Sequence, residues 1–185
     1  MPNDRVLIWR LRRADVDALR ELYDKYKGGL LKMAVLLTRD VCVAEDVVQD
    51  VFLKLAQSYD GIRIRGNVRN YLITCLVNRT RTLRRQARHG REPLLESASM
   101  QICPYPRPEQ WAVLNEQMQQ LAEAMRELSP EQREVITLRF GAALGFRQIA
   151  RIQNTSINTA QGRYRYGIEK LRSVLDGEVT HDILR

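Results

Sequence analysis

A chain of 185 residues, 44% of them hydrophobic, is long enough for two small packed domains, and its sparse glycine, proline and aromatic content favours helices over many short strands. A formal net charge of +8 points to a polyanionic partner. Cys42, Cys75 and Cys103 are widely spaced, no C-x-x-C occurs, and His89 and His181 stand alone, so neither a zinc site nor a disulfide framework is expected, and no apolar run reaches membrane-spanning length.

At the N-terminus, Arg10, Arg12 and Arg13 interrupt the only short apolar run, so no signal peptide is expected. A helix is predicted over about 15 to 37, from Leu19, Leu22, Tyr23, Tyr26, Leu30, Met33 and Leu37 at helical spacing, with Gly28 and Gly29 weakening or bending its middle. A second helix is predicted over about 44 to 57, burying Val47, Val48, Val51, Phe52 and Leu55. Residues 58 to 66 read as a loop, and a third helix over about 67 to 86 buries Val68, Tyr71, Leu72, Cys75 and Leu76. Cys42 and Cys75 are expected as small buried hydrophobes in a reducing cytoplasm.

Residues 87 to 109 hold Gly90, Pro93, Pro104, Pro106 and Pro108 and read as a linker, because proline lacks the amide that a helix interior needs. Helical signal returns from about Glu109 to Glu127. Leu128-Ser129-Pro130-Glu131-Gln132 is a strong start, with Ser129 as cap and Gln132 closing a capping box. That helix carries Val135, Ile136, Leu138 and Phe140 and stops at Gly141. Helices over about 145–152 and 156–173 follow, and the tail after Asp176 carries little signal. The predicted fold is all-α: two small helical domains, residues 1–86 and 110–185, joined by the proline-containing linker at 87–109.

Charge divides the chain further. Residues 1–60 balance 10 basic against 10 acidic groups, whereas residues 61–91 carry 9 arginines and no acid. Residues 92–146 are net −4 and residues 147–185 net +3. Two basic segments separated by an acidic one suggest two contacts with nucleic acid.

The second basic segment has helix-turn-helix form. Phe146, Ile149, Ala150 and Ile152 face inward on a short helix; Gln153-Asn154-Thr155-Ser156 is turn chemistry, with Asn154 suited to a left-handed helix end and Ser156 to a cap. The next helix has an apolar stripe of Ile157, Ala160, Tyr164, Ile168 and Leu171. Its opposite face offers Asn158, Thr159, Gln161, Gly162, Arg163, Arg165 and Tyr166, the kinds of side chain that read base edges and hold phosphates in a major groove. Ala150 is small enough to let the two helices cross closely.

On the second helix, Asp46, Gln49, Asp50 and Leu53 share one face. Taken with its surroundings, Ala44-Glu45-Asp46-Val47-Val48-Gln49-Asp50-Val51-Phe52-Leu53 resembles the second region of bacterial RNA polymerase sigma factors. Asn67-Val68-Arg69-Asn70-Tyr71-Leu72 through Asn78 and Arg84-Arg85 resembles the promoter-melting helix that follows, and Leu128-Ser129-Pro130-Glu131-Gln132-Arg133-Glu134-Val135 with the helix-turn-helix resembles the fourth region. First and third regions are missing, which points to the extracytoplasmic-function (ECF) type. Tyr71 stands where the family usually has Trp, Thr82 where Asp is frequent, and Gln153-Asn154 where Leu-Gly is common.

The resemblance implies a non-enzymatic protein without cofactor or metal. It implies that Asp46, Gln49, Asp50 and Leu53 dock on the clamp coiled coil of the polymerase's largest subunit, with a further contact on the flap region of the second-largest subunit. Arg63, Arg65, Arg69, Asn70, Thr74 and Asn78 would contact the minus-ten element, where residues 58–66 hold a flipped base. Asn158, Thr159, Gln161, Gly162, Arg163, Arg165 and Tyr166 would contact the minus-thirty-five element. Core polymerase and promoter DNA are thus the implied partners, with room for an anti-sigma factor, no membrane insertion, and action in the cytoplasm on the nucleoid.

Three rivals are weaker. A ligand-responsive regulator needs a sensor domain, and residues 1–86 show no alternating strand-helix pattern. A nuclease would need a third acidic or histidine partner for Asp46 and Asp50. A purely structural helical protein leaves both basic segments unexplained.

Overall fold

The computed structural model describes residues 4–57, 64, 67–88 and 116–183, and among these every regular element is helical. The first unit comprises α1 (Asp4–Leu11), α2 (Val16–Thr38), α3 (Val41–Gln57) and α4 (Val68–Arg88). The second comprises α5 (Glu116–Ala124), a 3-10 turn (Met125–Glu127), α6 (Pro130–Ile136) with a π turn (Thr137–Gly141), α7 (Phe146–Gln153) and α8 (Ile157–Ile183).

Helix α1 was not expected from the sequence. Its arginines lie outside a buried Leu7, Ile8 and Leu11 edge, so they do not interrupt it. Arg10 reaches Asp15 and Glu21 at 2.7 Å each, and Lys25 reaches Asp4 at 2.6 Å. Arg10 holds the Asp15 carboxyl below the usual range, and Asp15 also caps α2 by accepting from the amides of Asp17 and Ala18.

Helix α2 runs unbroken through Gly28 and Gly29, and both glycines face open space. Alanine at either position is therefore expected to stabilise the fold by about 0.4–1 kcal/mol, by restricting the unfolded chain and improving helix propensity. Chemical denaturation of the two variants checks this.

Asp40 caps α3 and Asn67 caps α4 through their side-chain oxygens, at 3.0 and 2.8 Å. Val47, Val51, Phe52 and Leu55 of α3 meet Leu72, Ile73, Leu76 and Val77 of α4 and Leu22 and Leu30 of α2 in one core. Tyr23 meets Phe52 edge-on at 5.0 Å. Cys42 and Cys75 are half-buried rather than buried. Each lies at the edge of the stripe; Cys75 pairs with Tyr71, and burial pushes its thiol pKa up.

In the second unit the expected capping box is formed: Gln132 N donates to Ser129 Oγ (3.2 Å), and Ser129 N to Gln132 Oε1 (3.0 Å). The π turn widens the helix after Ile136. Leu138 is fully buried, while Phe140, expected on the apolar side, is 65% exposed. Ala87 and Arg88 continue α4. The remaining linker residues and the helix start near Glu109 lie outside the described residues. Helix α8 extends ten residues beyond the predicted end. Gly167 lets it cross α6 closely, since a Cβ there would sit 2.9 Å from Ile136 Cδ1 and 3.3 Å from Gln132 Cβ.

The two units pack together through α2. Gly141 at the end of the π turn is seated against the end of the Met33 side chain, which would have to shift to admit a Cβ.

Candidate nucleic-acid and protein interfaces

The α3 face opposite the core presents Asp46, Gln49 and Leu53 to solvent, with Leu53 56% exposed. An apolar side chain so exposed beside a carboxylate has no role in the core of this chain. Asp50 differs from its three neighbours. It is half-buried and accepts from Arg79 Nε of α4 at 2.6 Å, so it also joins α3 to α4. Burial, then the nearby charges of Asp50 and Asp40, raise the pKa of the Asp46 carboxyl against the opposing pull of Arg79. A cavity of about 430 Å³ lies beside this face, lined by Asp46, Asp50, Val43, Leu37 and Arg133 among others.

On α4, Arg69 and Asn78 are exposed and Asn70 is half-buried. Thr74 is half-buried and its hydroxyl donates to Asn70 O at 2.7 Å, so it is partly engaged within the helix. Arg63 and Arg65 lie outside the described residues, as does most of the 58–66 loop. Further along, Arg81 and Arg84 turn toward the second unit. Arg81 grips Glu134 through two nitrogens, with Nε to Oε2 at 2.7 Å, and its Nη1 donates to Ile152 O at 2.6 Å. Arg84 reaches Glu131 at 3.3 Å. Sequence reading missed this seam; its only trace was acidic residues at one edge of a helix in the acidic segment.

Arg133 is the other unexpected group at the seam. It is only 5% exposed. Its guanidinium donates to Leu37 O of the first unit (3.3 Å) and to Leu128 O (3.1 Å), leaving Nε without a partner. Burial first, then the Arg39 and Arg84 charges, push its pKa down to about 10.

The helix-turn-helix is built as expected at its turn. Asn154 ends α7 at φ 49, and Thr159 N donates to Ser156 Oγ at 3.0 Å. Ala160 and Ala150 are buried at the crossing. Ile157, expected within the apolar stripe, is 40% exposed because it occupies the first, open turn of α8. Asn158, Thr159, Gln161, Arg165 and Tyr166 are exposed along one side of α8. Arg165 lies over the Tyr166 ring at 4.9 Å. Gly162 meets nothing within 4 Å, so an approaching surface can come close there. Arg163 is half-buried and donates to Gln153 Oε1 (2.9 Å), while Gln153 Nε2 donates to Glu131 O (2.9 Å). Gln153, where Leu is common in the resembling family, thus ties α8 to the start of α6.

Among the described residues, no group of three or more His, Cys, Asp or Glu could hold a metal ion, and no helix is long and apolar enough to cross a membrane.

Comparison with known proteins matches residues 22–89 to Sigma-70 region 2 and residues 118–171 to Sigma-70, region 4. The "ECF RNA polymerase sigma factor SigK" of Mycobacterium sp. (strain KMS) is 28% identical over 92% of this chain and 89% of its own length. The protein of the same description from Mycobacterium tuberculosis (strain ATCC 25618 / H37Rv) is 24% identical over 92% of each. Among solved structures, CnrH in complex with the cytosolic domain of CnrY superposes with a TM-score of 0.65 at 21% identity, covering 94% of this chain and 97% of that one. The sigma factor RpoE, in complex with the anti-sigma factor NepR from Bartonella quintana, superposes with a TM-score of 0.58 at 23% identity, covering 85% and 98%.

Proposed function

Since the chain belongs to the sigma-70 family, as an RNA polymerase sigma factor of the ECF type with regions 2 and 4, we propose that its three exposed faces divide the work of transcription initiation among them. The protein binds core RNA polymerase and directs it to promoter DNA. The α3 face of Asp46, Gln49 and Leu53, with Asp50 at its edge, docks on the clamp coiled coil of the largest subunit. The second unit meets the flap region of the second-largest subunit. Residues 61–91 act on the melted minus-ten element through Arg63, Arg65, Arg69, Asn70 and Asn78, with Thr74 partly engaged within its helix. Helix α8 reads the minus-thirty-five element, with Gln161 and Arg165 toward bases and Thr159 and Arg163 toward backbone, while Gly162 permits close approach. The protein acts by binding alone, without a reaction of its own, and works in the cytoplasm on the nucleoid. An anti-sigma factor is a further partner, a reading supported by the anti-sigma complex of the superposing RpoE.

One observation carries this reading: a polar α3 face with an exposed leucine and a polar helix-turn-helix face lie on one chain, within matches to regions 2 and 4 in that order. The test is transcription with core polymerase and this protein on randomised promoter templates. Transcripts with defined start sites that require the protein are expected. The same transcripts with core alone would refute the reading.

The minus-ten assignment has its own test. Replacing Arg63, Arg65 and Arg69 with Ala is expected to impair promoter opening more than binding to core, because phosphate contacts help offset the few kcal/mol needed to unstack a base. Permanganate footprinting of unpaired thymines measures it, and parental reactivity in the variant would count against these three arginines.

A further inference from the structure

One apolar core runs through both units, so the space between them has walls set by folding. The cavity of about 430 Å³ lies there, within the roughly 300–1,000 Å³ range of small-molecule sites. The end of α2, the start of α3, the last turns of α4 and α6 enclose it, and Leu37, Val43, Leu83, Ala87 and Pro130 give it an apolar surface. Five arginines and three carboxylates complete the lining. Asp50 is held by Arg79 and Glu134 by Arg81. Of the other three arginines, Arg84 reaches Glu131 at 3.3 Å, which leaves Arg39 and Arg133 without an ion pair among the described residues.

Arg133 is the unusual part of this wall. It is 5% exposed and crosses from α6 to donate to Leu37 O, in the last turn of α2, and to Leu128 O. A cation at a helix C-terminus suits those bonds. They leave Nε, itself buried, without a partner among the described residues, and they bring no negative charge to the guanidinium. Arg39 and Arg84 lie close enough for their like charge to oppose the Arg133 cation. Capping of α2 therefore accounts for two of the bonds but not for a buried cation crowded by other cations. Such a cation is costly with neutral acceptors alone, and an anion beside it would offset that cost.

We propose that this cavity binds a small organic carboxylate with an apolar body, its head toward Arg133 and Arg39 and its body against Leu37, Val43, Leu83 and Pro130. A planar carboxylate matches the guanidinium fork, and the apolar walls favour an anion that carries hydrocarbon over a bare ion. Asp46, which also lines the cavity and forms no ion pair among the described residues, opposes the head and limits its affinity. The inference stands apart from the promoter reading. Asp46 and Asp50 line both the cavity and the α3 face, so the bound group lies beside the proposed polymerase contact without being needed for it.

The test is calorimetric titration of the full chain, free of polymerase and DNA, with phenylbutyrate, its neutral isostere phenylbutyramide, and acetate. Phenylbutyrate should saturate a single site and bind at least about tenfold more tightly than either control, since the amide loses the charge-assisted bond and acetate loses the apolar body. Arg133→Met removes the charge at similar volume and should weaken phenylbutyrate binding about tenfold. Because that change also removes two bonds to carbonyls, Arg39→Asn and Ala87→Trp probe the site from exposed positions. Arg39→Asn suits the left-handed backbone at φ 67 and should weaken binding about threefold. Ala87→Trp places a large ring at the cavity and should abolish saturable binding. Asp46→Asn should tighten binding about twofold. Circular dichroism and thermal unfolding report that the variants fold. Equal affinity for phenylbutyramide would overturn recognition of the charge, and equal affinity for acetate would overturn the proposal by showing an adventitious ion only. Absence of saturable phenylbutyrate binding by the parent, or parental affinity in both Arg39→Asn and Ala87→Trp, would overturn the site. Promoter-directed transcription by the parent tests the earlier reading separately, so either can fail alone.

Discussion

Asp46→Arg combined with Leu53→Ala is expected to weaken binding to core polymerase by about 3 kcal/mol, roughly a hundredfold in Kd, while leaving the fold intact. The two positions lie two helical turns apart on the exposed side of α3, and their effects should be close to additive. In the proposed docking, Asp46 would supply charge against a basic partner helix and Leu53 the apolar contact. Asp50 belongs in a separate experiment. Reversing it would place a cation against Arg79 Nε and pull α3 from α4, so lost binding could not be assigned to the interface. Asp50→Asn should lower stability as well as binding, whereas the Asp46 and Leu53 changes should lower binding alone. The raised Asp46 pKa has a consequence of definite sign. A carboxyl whose folded-state pKa lies above its unfolded value favours the folded state below the unfolded pKa, and that contribution is lost as pH rises through the folded one. At neutral pH the charged Asp46 therefore works against the fold, and Asp46→Asn should be neutral to slightly stabilising there while still weakening core binding. Parental affinity of the Asp46 and Leu53 double variant, measured by titration of labelled protein with core, would remove this face from the interface.

Changing the recognition helix should separate three kinds of effect. Gln161 and Arg165 are exposed on α8, and loss of either is expected to change the preferred upstream sequence by about 1–3 kcal/mol per lost base contact. Arg163→Ala should weaken all promoters alike and lower the salt slope by about one. The structure adds a second effect of that change, because Arg163 also holds Gln153, which bonds to Glu131 O. Gln153→Ala should therefore reproduce part of the Arg163→Ala loss without touching DNA. Ala160→Leu acts through packing: position 160 is fully buried at the crossing with α7, and overpacking it should cost about 1–3 kcal/mol of stability. Selection from randomised upstream sequences together with thermal unfolding tells these apart. If Gln161 and Arg165 variants select the parent's consensus, the reading residues lie elsewhere on the helix.

The local architecture is legible in the order of residues along the chain. Apolar spacing marked α2, α3 and α4, because each buries one stripe against the others. Ser129 with Gln132, and Asn154 with Ser156, announced their helix ends, since caps and left-handed turns depend on neighbouring residues alone. The face of Asp46, Gln49 and Leu53 was legible for the same reason, as helical periodicity places those residues together. Other features depended on contacts between distant segments. Helix α1 is too short to hold by propensity and is secured by Arg10 and Asp4 pairing with α2 and its cap. The π turn redirected Phe140 to the surface, and Gly167 set the crossing of α8 over α6. Long-range packing alone shows that Asp50 is shared with Arg79, that Arg133 is buried, and that Arg81 and Arg84 of the acid-free arginine segment meet Glu134 and Glu131. Those partners lie 29 to 53 residues apart in the chain, beyond any helical repeat, and a charge pattern records that opposite charges exist without recording which of them meet.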